Sequence, residues 1–275
     1  MTLCIAKVGR SIFCLRALLL VALLPGCQPH PVERAVQAPS RSLTEPISGS
    51  RYQSAETQTL QADEFANPGL LWVDKGRALW QDKPRNGAAS CQGCHGKLAD
   101  MRGVATRYPV YDAQLDGLLN LTQRVERCRQ THQQQRPLPY EAEPLLALTA
   151  ALAHESRGLA FQPNIDGPAR PFFDAGEAYF FQRRGQMNLA CHHCHEVNAG
   201  RMLRGDLLSQ GHGTGYPAYR LQWQELGSLH RRLRFCNQGI RAEPFDYGAA
   251  EYVNLELYLA WRAAQLPLEA PAVRR

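Results

Sequence analysis

Apolar side chains recur at helical spacing in two segments that lie 100 residues apart. Residues 74–80 and 174–180 share an Asp, a Gly, an Ala and a terminal aromatic residue at matching positions. The apolar positions are Val73, Leu79 and Trp80 in the first segment and Phe173, Tyr179 and Phe180 in the second. Spacings of this kind place apolar side chains on one helix face. We therefore predict an amphipathic helix in each segment and a duplication within the chain.

A second pair of matching segments lies 108 residues apart and ends at a cysteine in each copy. The matching residues are Leu118, Leu121, Val125 and Cys128 in the first copy and Leu226, Leu229, Leu233 and Cys236 in the second. Spacings of three, four and three residues predict one helical stripe that ends at the cysteine. Arg124 and Arg232 occupy matching places beside it. The larger offset implies about eight extra residues in the second copy.

Each copy ends in an apolar run that predicts a further helix, over residues 144–153 in the first copy and 252–261 in the second. Residues 161–171 lie between the copies and are rich in Pro and Gly, which indicates a linker.

The start of the chain has the order of an export signal. A basic segment precedes the apolar run of residues 17–24, and Pro25-Gly26-Cys27 follows. The run is too short to span a membrane. We expect removal of residues 1–26 and a periplasmic mature chain. The same segment resembles a lipoprotein cleavage box, so a lipid anchor on Cys27 is an open alternative.

The chain has 275 residues, of which 44% are hydrophobic and 20% are charged. This composition supplies one large core or two domains, and it excludes a disordered chain, collagen and a disulfide miniprotein. The formal net charge is +6 and falls to 6 − 3 = +3 without residues 1–26, which carry three basic and no acidic groups. Such a mild excess argues against nucleic acid as a partner.

Four of the nine cysteines lie in two C-x-x-C-H motifs. The motifs consist of Cys91, Cys94 and His95 in the first copy and Cys191, Cys194 and His195 in the second. Two thiols one helical turn apart can bond to the two vinyl groups of one haem, and the adjoining histidine then reaches the iron. We predict two covalent haems c. A pair of zinc knuckles is the alternative. His192 and His193 are interpreted as solvent-facing spacers.

The sixth ligand of each iron distinguishes an electron carrier from other haem proteins. Met101, Met187 and Met202 lie before a haem motif or only a few residues after one. Cys128 and Cys236 lie 33 and 41 residues beyond the proximal histidines and have no other obvious task. We predict His/Cys ligation at both haems. Two buried thiols, or one disulfide between the domains, are the alternatives.

These patterns predict an all-α fold, a tandem duplication of two cytochrome c-type domains that each hold one covalent haem c. The predicted boundaries are 1–26 for the signal peptide, 27–66 for a tether or N-terminal extension, 67–163 for the first domain and 164–275 for the second.

The two motifs, the matching cysteines and the sequence of residues 231–244 resemble the dihaem A subunit of the SoxAX cytochromes of bacterial sulfur oxidation. The resemblance extends over roughly residues 65–275. It implies oxidative attachment of thiosulfate to a cysteine of a sulfur-carrier protein of the SoxYZ type, with electrons passed to an electron-accepting cytochrome c. It also implies a heterodimer with a small monohaem subunit of the SoxX type. Finally, it implies that Cys236 is an axial ligand that carries a persulfide and acts as catalyst.

The residues around Cys236 suit that chemistry. Thiosulfate is a dianion, and a cysteine nucleophile must be a thiolate, so a cationic pocket would serve both. Arg232 lies one helical turn before Cys236 and Arg241 follows it, and we predict that both bind substrate. The alternative is that such arginines pair with a haem propionate. Arg231, Arg234 and Arg262 are interpreted as a solvated or partner-facing basic surface.

Two other functions remain open at this point. A dihaem c cytochrome that only transfers electrons would need exposed haem edges and typically Met ligands. A dihaem peroxidase would need an open coordination site, which an iron bound by cysteine lacks.

Overall fold

The structure is a computed structural model that describes residues 45–275. The predicted export signal and Cys27 lie outside the described residues. None of the helices in this range has the length and apolar character needed to cross a membrane.

The first copy consists of five helices and one hairpin. Its elements are α1 (Ala55–Ala62), α2 (Leu70–Gln81), α3 (Cys91–His95), β1 (Val110–Asp112), β2 (Gly117–Leu119), α4 (Leu121–Gln133) and α5 (Glu143–Glu155). Short 3₁₀ turns cover Gly49–Tyr52, Leu98–Met101 and Ala105–Arg107.

The second copy repeats this order with additional strands. Its elements are α6 (Arg170–Phe181), a π-helical turn (His193–Val197), β3 (Met202–Leu203), β4 (Asp206–Leu207), β5 (Ala218–Arg220), β6 (Glu225–Gly227), α7 (Leu229–Gly239), α8 (Ala250–Arg262) and β7 (Ala272–Arg274). A 3₁₀ turn at Gly167–Ala169 precedes α6.

One helix pair forms the core of each copy. α2 packs on α5 in the first copy, and α6 packs on α8 in the second. Gly76 and Gly176 lie at these crossings, where a Cβ would overlap the backbone carbonyl oxygen of Ala147 or Asn254. Both crossings therefore require glycine, because any side chain would push the two helices apart.

The hairpins that precede the cysteine helices also match. β1 and β2 pair antiparallel so that Val110 faces Leu119, and β5 and β6 pair in the same register so that Ala218 faces Gly227. Strand β7 adds to β5 in parallel orientation, which gives the second copy a three-stranded sheet.

The predicted helices and a largely helical fold are confirmed, and two details were wrong. The structure adds seven strands of two or three residues among residues 45–275, too short to show an alternating pattern in the sequence. Leu118 and Leu226 lie on strands β2 and β6, so the helical stripes begin at Leu121 and Leu229. The predicted linker ends early, since Pro171 lies in the first turn of α6, where its missing N–H costs nothing.

The part of the predicted tether that the structure describes is folded against the C-terminus. Gln61 on α1 accepts hydrogen bonds from the Val273 backbone N–H, at 3.2 Å, and from the Arg274 side chain. Asn67 donates to the backbone oxygen of Pro271 at 3.1 Å. Residues 45–67 are thus held by buried polar contacts with the last strand, which hydropathy alone does not reveal.

We predict that Gly176→Ala lowers the free energy of unfolding by about 1–3 kcal/mol, because the added methyl group has no room beside the Asn254 carbonyl. Thermal unfolding of the haem-loaded protein measures this change. Gly239→Ala is the matched control, since nothing lies within 4 Å of its added methyl group and a helical alanine is favoured over glycine. Equal melting temperatures for the Gly176→Ala variant and the unmodified protein would contradict the account of the crossing.

Candidate active site

The first C-x-x-C-H motif forms the short helix α3. Ser90 caps its start by accepting a hydrogen bond from the Gly93 N–H at 3.0 Å. The Trp80 indole donates to the Gly96 carbonyl oxygen at 3.0 Å, and its ring centroid lies 5.8 Å from that of His95. Helix α2 thereby fixes the end of the motif that carries the histidine.

The second motif is held by one of its own histidines. His193 Nδ1 accepts a hydrogen bond from the Ala190 N–H at 3.0 Å, in the place where Ser90 caps the first motif. The His192 ring lies 5.1 Å from that of Phe181. Both histidines are half-buried, so their interpretation as solvent-facing spacers was wrong.

His195 is oriented for ligation through one nitrogen. Its Nδ1 donates to the backbone oxygen of Ser209 at 2.8 Å, so Nε2 is the nitrogen that could bind an iron. Gly211 packs against the ring, where a Cβ would approach to 2.8 Å. An imidazole held in this way, beside two thiols one turn apart, fits covalent haem c.

Each predicted axial cysteine lies beside its own motif. The Cys128 thiol is close enough to Cys91 and Cys94 to raise the pKa of the Cys91 thiol further than burial alone does, and the Cys236 thiol acts in the same way on Cys191. All six cysteines of the described residues are free thiols. The alternative of a disulfide between the two domains is therefore excluded.

The Cys236 thiol has a strongly cationic environment. Burial alone would raise its pKa, but Arg232, His195 and Arg220 outweigh burial and lower the pKa from its ordinary value to about 7. Arg232 is on the same helix α7, and Arg220 is the last residue of strand β5. The arrangement therefore favours a thiolate at neutral pH.

The Cys128 thiol has the opposite bias. Burial raises its pKa above the ordinary value, and Arg124 opposes burial only in part. Arg124 is bound by Asp112, whose Oδ2 lies 2.7 Å from the guanidinium nitrogen. Arg124 matches Arg232 of the second copy, and Asp112 neutralises its charge. The first copy therefore favours a thiolate at Cys128 less than the second copy does at Cys236.

Arg220 is the site residue that sequence reasoning missed. It lies at the 108-residue offset from Asp112, and both end the first strand of their hairpins. Alignment of the two copies across the hairpin, upstream of the cysteine helices, would have revealed this exchange of charge.

The other arginines near the segment have different surroundings. Arg241 is exposed beyond the end of α7, so its predicted substrate contact stays a prediction. Arg231 pairs with Glu225 at 2.6 Å, and the Arg234 side chain donates to the backbone oxygen of Phe245.

The assignment of Arg262 to a basic surface was wrong. Its side chain is buried in the last turn of α8, pairs with Glu196 at 3.1 Å and donates to the backbone oxygen of Gln210 at 3.2 Å. The carboxylate and the backbone carbonyl offset the cost of burying the Arg262 guanidinium.

Comparison with known proteins agrees with this geometry. Residues 75–161 match the family model described as SoxA/TsdA, cytochrome c domain. The chain is 35% identical over 246 residues to the L-cysteine S-thiosulfotransferase subunit SoxA of Pseudaminobacter salicylatoxidans, with 89% of this chain and 86% of the relative covered. The chain belongs to the SoxA family.

Two further relatives support the assignment to SoxA. The subunit of the same name from Rhodovulum sulfidophilum is 35% identical over 228 residues, which cover 82% of this chain and 79% of the relative. The crystal structure of SoxXA from P. pantotrophus superimposes with a TM-score of 0.80 at 32% identity, and covers 84% of this chain and 87% of that chain. Membership of SoxA and the cytochrome c domain establish a protein of the haem c type.

We predict that Asp112→Asn destabilises the protein at neutral pH, because Arg124 loses its partner. Arg124 and the backbone N–H of Gln114 hold the pKa of Asp112 below its ordinary value. The carboxylate therefore stabilises the fold fully above that ordinary value and progressively less as the pH falls through the folded-state pKa. The difference in denaturant midpoint should be largest at pH 7 and shrink below about pH 4.

Asp246→Asn is the control for this experiment, because that carboxylate is fully exposed and its contact with Arg234, at 4.0 Å, is long. A difference for Asp112→Asn that stays constant from neutral to acidic pH would show that ionisation of Asp112 does not contribute to stability.

Proposed function

We propose that this chain is the SoxA subunit of an L-cysteine S-thiosulfotransferase, and that it joins thiosulfate to a cysteine of a sulfur-carrier protein of the SoxYZ type. The overall change converts a carrier thiolate and thiosulfate into the S-thiosulfonate, and it releases two electrons. The observation that carries the proposal is the half-buried Cys236 thiol beside two arginines, Arg232 and Arg220.

Substrate binding is assigned first to Arg232. Its guanidinium is one helical turn from the Cys236 thiol, and the negative thiolate raises the pKa of Arg232. A guanidinium can donate paired hydrogen bonds to two sulfonate oxygens, which fixes the outer sulfur of thiosulfate towards the thiol. Arg241 remains a candidate for a second contact at the exposed rim.

Cys236 is the proposed sulfur-holding group. Its sulfur bonds to the outer sulfur of thiosulfate as two electrons are removed. The carrier thiolate then attacks that outer sulfur, the bond to Cys236 breaks, and Cys236 leaves as a thiolate. A low thiol pKa favours both steps, because the thiolate is the nucleophile in the first and the leaving group in the second. A persulfide on Cys236 would place the reacting sulfur one atom further out.

Two covalent haems c are proposed, one in each copy. Cys91 and Cys94 would attach the first, and Cys191 and Cys194 the second. His95 and Cys128 would bind the iron of the first haem, and His195 and Cys236 that of the second. Haem, when bound, supplies an acceptor for the electrons of the reaction.

The proposed setting is the periplasm, with residues 1–26 removed and Cys27 either free or lipidated. A small monohaem subunit of the SoxX type would complete the enzyme, and an electron-accepting cytochrome c would receive the electrons. We propose a domain boundary near residue 164, between the two copies.

The number of haems and the thiolate ligation of their irons can be tested on the same protein by mass measurement and EPR. The denatured protein should have the mass of the mature chain plus two haems. Cys128→Met and Cys236→Met should each remove one thiolate-type low-spin EPR signal and leave the other signal in place, because each substitution changes the ligand of one iron. A mass with fewer than two haems, or an EPR spectrum that neither substitution alters, would refute this part of the proposal.

The catalytic assignments predict different kinetic losses. Arg232→Ala removes a charge-assisted contact worth about 1.5–3 kcal/mol, so kcat/KM for thiosulfate should fall by roughly one to two decades. Cys236→Ala should abolish turnover of thiosulfate plus carrier protein. Haem content, measured optically, should be unchanged in the Arg232→Ala protein. Full turnover by the Cys236→Ala protein would leave a dihaem electron-transfer cytochrome as the better interpretation.

A further inference from the structure

The cysteine of each copy and three residues near it match at the constant offset of 108, and only one of these four positions differs between the copies. Tyr108, Arg124 and Cys128 match Tyr216, Arg232 and Cys236, and each tyrosine interacts with the arginine of its own copy. The fourth position is Asp112 in the first copy and Arg220 in the second.

The backbone that carries this fourth position is the same in both copies. Asp112 and Arg220 each end the first strand of a hairpin, and the two hairpins have the same register. The exchange therefore replaces a carboxylate that binds Arg124 with a guanidinium close enough to Arg232 for the two charges to act on one another.

Arg220 is buried without a charged partner. Its side chain is 7% exposed, and its Nε has no hydrogen-bond partner. Its guanidinium interacts with the Tyr216 side chain and lies over the Trp223 ring at 5.3 Å. Within residues 45–275, no salt bridge of 4.0 Å or less joins Arg220 or Arg232 to a carboxylate.

The positive charges of Arg220 and Arg232 repel one another, and burial of the Arg220 charge without compensation is costly. The Cys236 sulfur supplies one negative charge at most, and Asp206 acts on Arg232 only weakly and without a salt bridge. A dianion with several oxygens would compensate the pair and would also supply an acceptor for the unpartnered Nε of Arg220.

We propose that Arg220 is a second sulfonate-binding residue of the Cys236 site, and that the exchange of Asp112 for Arg220 between the copies assigns the reaction to the second copy. This inference rests on the proposed function. Arg220 and Arg232 hold the sulfonate oxygens of thiosulfate from two sides, so that the outer sulfur faces the thiol. The first copy cannot do so, because Asp112 occupies the guanidinium of Arg124 and repels an anion.

The strongest test gives residue 220 of the second copy the aspartate that the first copy has at residue 112. Arg220→Asp should fold, because the first copy already has this hairpin with an aspartate at the same position. It should pair with Arg232 as Asp112 pairs with Arg124. Arg220→Gln removes only the charge, and Arg220→Lys keeps it. Each protein is purified with its haems and its partner subunit.

The kinetic measurement is kcat/KM for thiosulfate with carrier protein in excess. Arg220→Gln should lose about one to two decades, Arg220→Asp more, and Arg220→Lys the least. Arg231→Gln is the matched control, because Arg231 lies over the same Trp223 ring at 4.3 Å but is paired with Glu225. Its kcat/KM for thiosulfate should equal that of the unmodified enzyme.

A binding measurement separates this inference from the proposed function. Inorganic sulfate is an unreactive dianion, and its affinity for the oxidised enzyme can be measured by calorimetry or by competition against thiosulfate. Arg220→Asp should weaken sulfate binding by at least tenfold. An unmodified enzyme that binds sulfate through Arg220 but conjugates no thiosulfate would reject the proposed function and support the anion site.

Two results would overturn the inference. One is equal affinity for sulfate and equal KM for thiosulfate in the unmodified and Arg220→Asp proteins. The other is a change of haem content or midpoint potential in Arg220→Gln with an unchanged KM, which would mean that Arg220 pairs with a haem carboxylate instead of the substrate.

Discussion

The cationic surroundings of Cys236, stronger than those of Cys128, distinguish the two matching cysteines of this protein. Cys128 and Cys236 lie on matching helices, each one turn after an arginine. Asp112 neutralises the arginine beside Cys128, whereas Arg220 adds a second cation beside Cys236. The pKa of the Cys128 thiol is therefore above its ordinary value, and that of Cys236 is lowered to about 7. Arg232 and His195 contribute most to the low pKa of Cys236, and the exchange of Asp112 for Arg220 adds to the difference between the two thiols.

The rest of the fold holds these charges in place. The glycines at the helix crossings let α2 pack closely on α5 and α6 on α8. Arg220 is further fixed by strand β7, which pairs with β5 so that Arg220 faces Arg274 across the sheet. The hairpin of the second copy is thus part of a three-stranded sheet, while the hairpin of the first copy has two strands. A buried cation needs such support, because an unconstrained arginine would turn towards water.

Much of this architecture could be predicted from the sequence. The long helices follow from apolar periodicity, and the motifs with their distant cysteines follow from repeated spacing. The strands could not be predicted, because two or three residues show no alternation. Arg220 was missed for the same reason, since it lies on one of these strands and far from the motifs in sequence. The packing of residues 45–67 against the C-terminal strand could not be predicted either. Gln61 and Asn67 hold this segment in place through buried hydrogen bonds, which a hydropathy pattern does not show. Arg262 was misplaced because its partner Glu196 is distant in sequence.

The central claim is that only one of two similar thiols takes part in sulfur transfer. The most direct test is peptide mass mapping of the haem-loaded enzyme, quenched with acid during turnover of thiosulfate and digested without reductant. The account predicts additional sulfur, as a persulfide or a thiosulfate adduct, on the peptide that contains Cys236, and an unmodified thiol on the peptide that contains Cys128. Additional sulfur on Cys128, or equal modification of both cysteines, would contradict it.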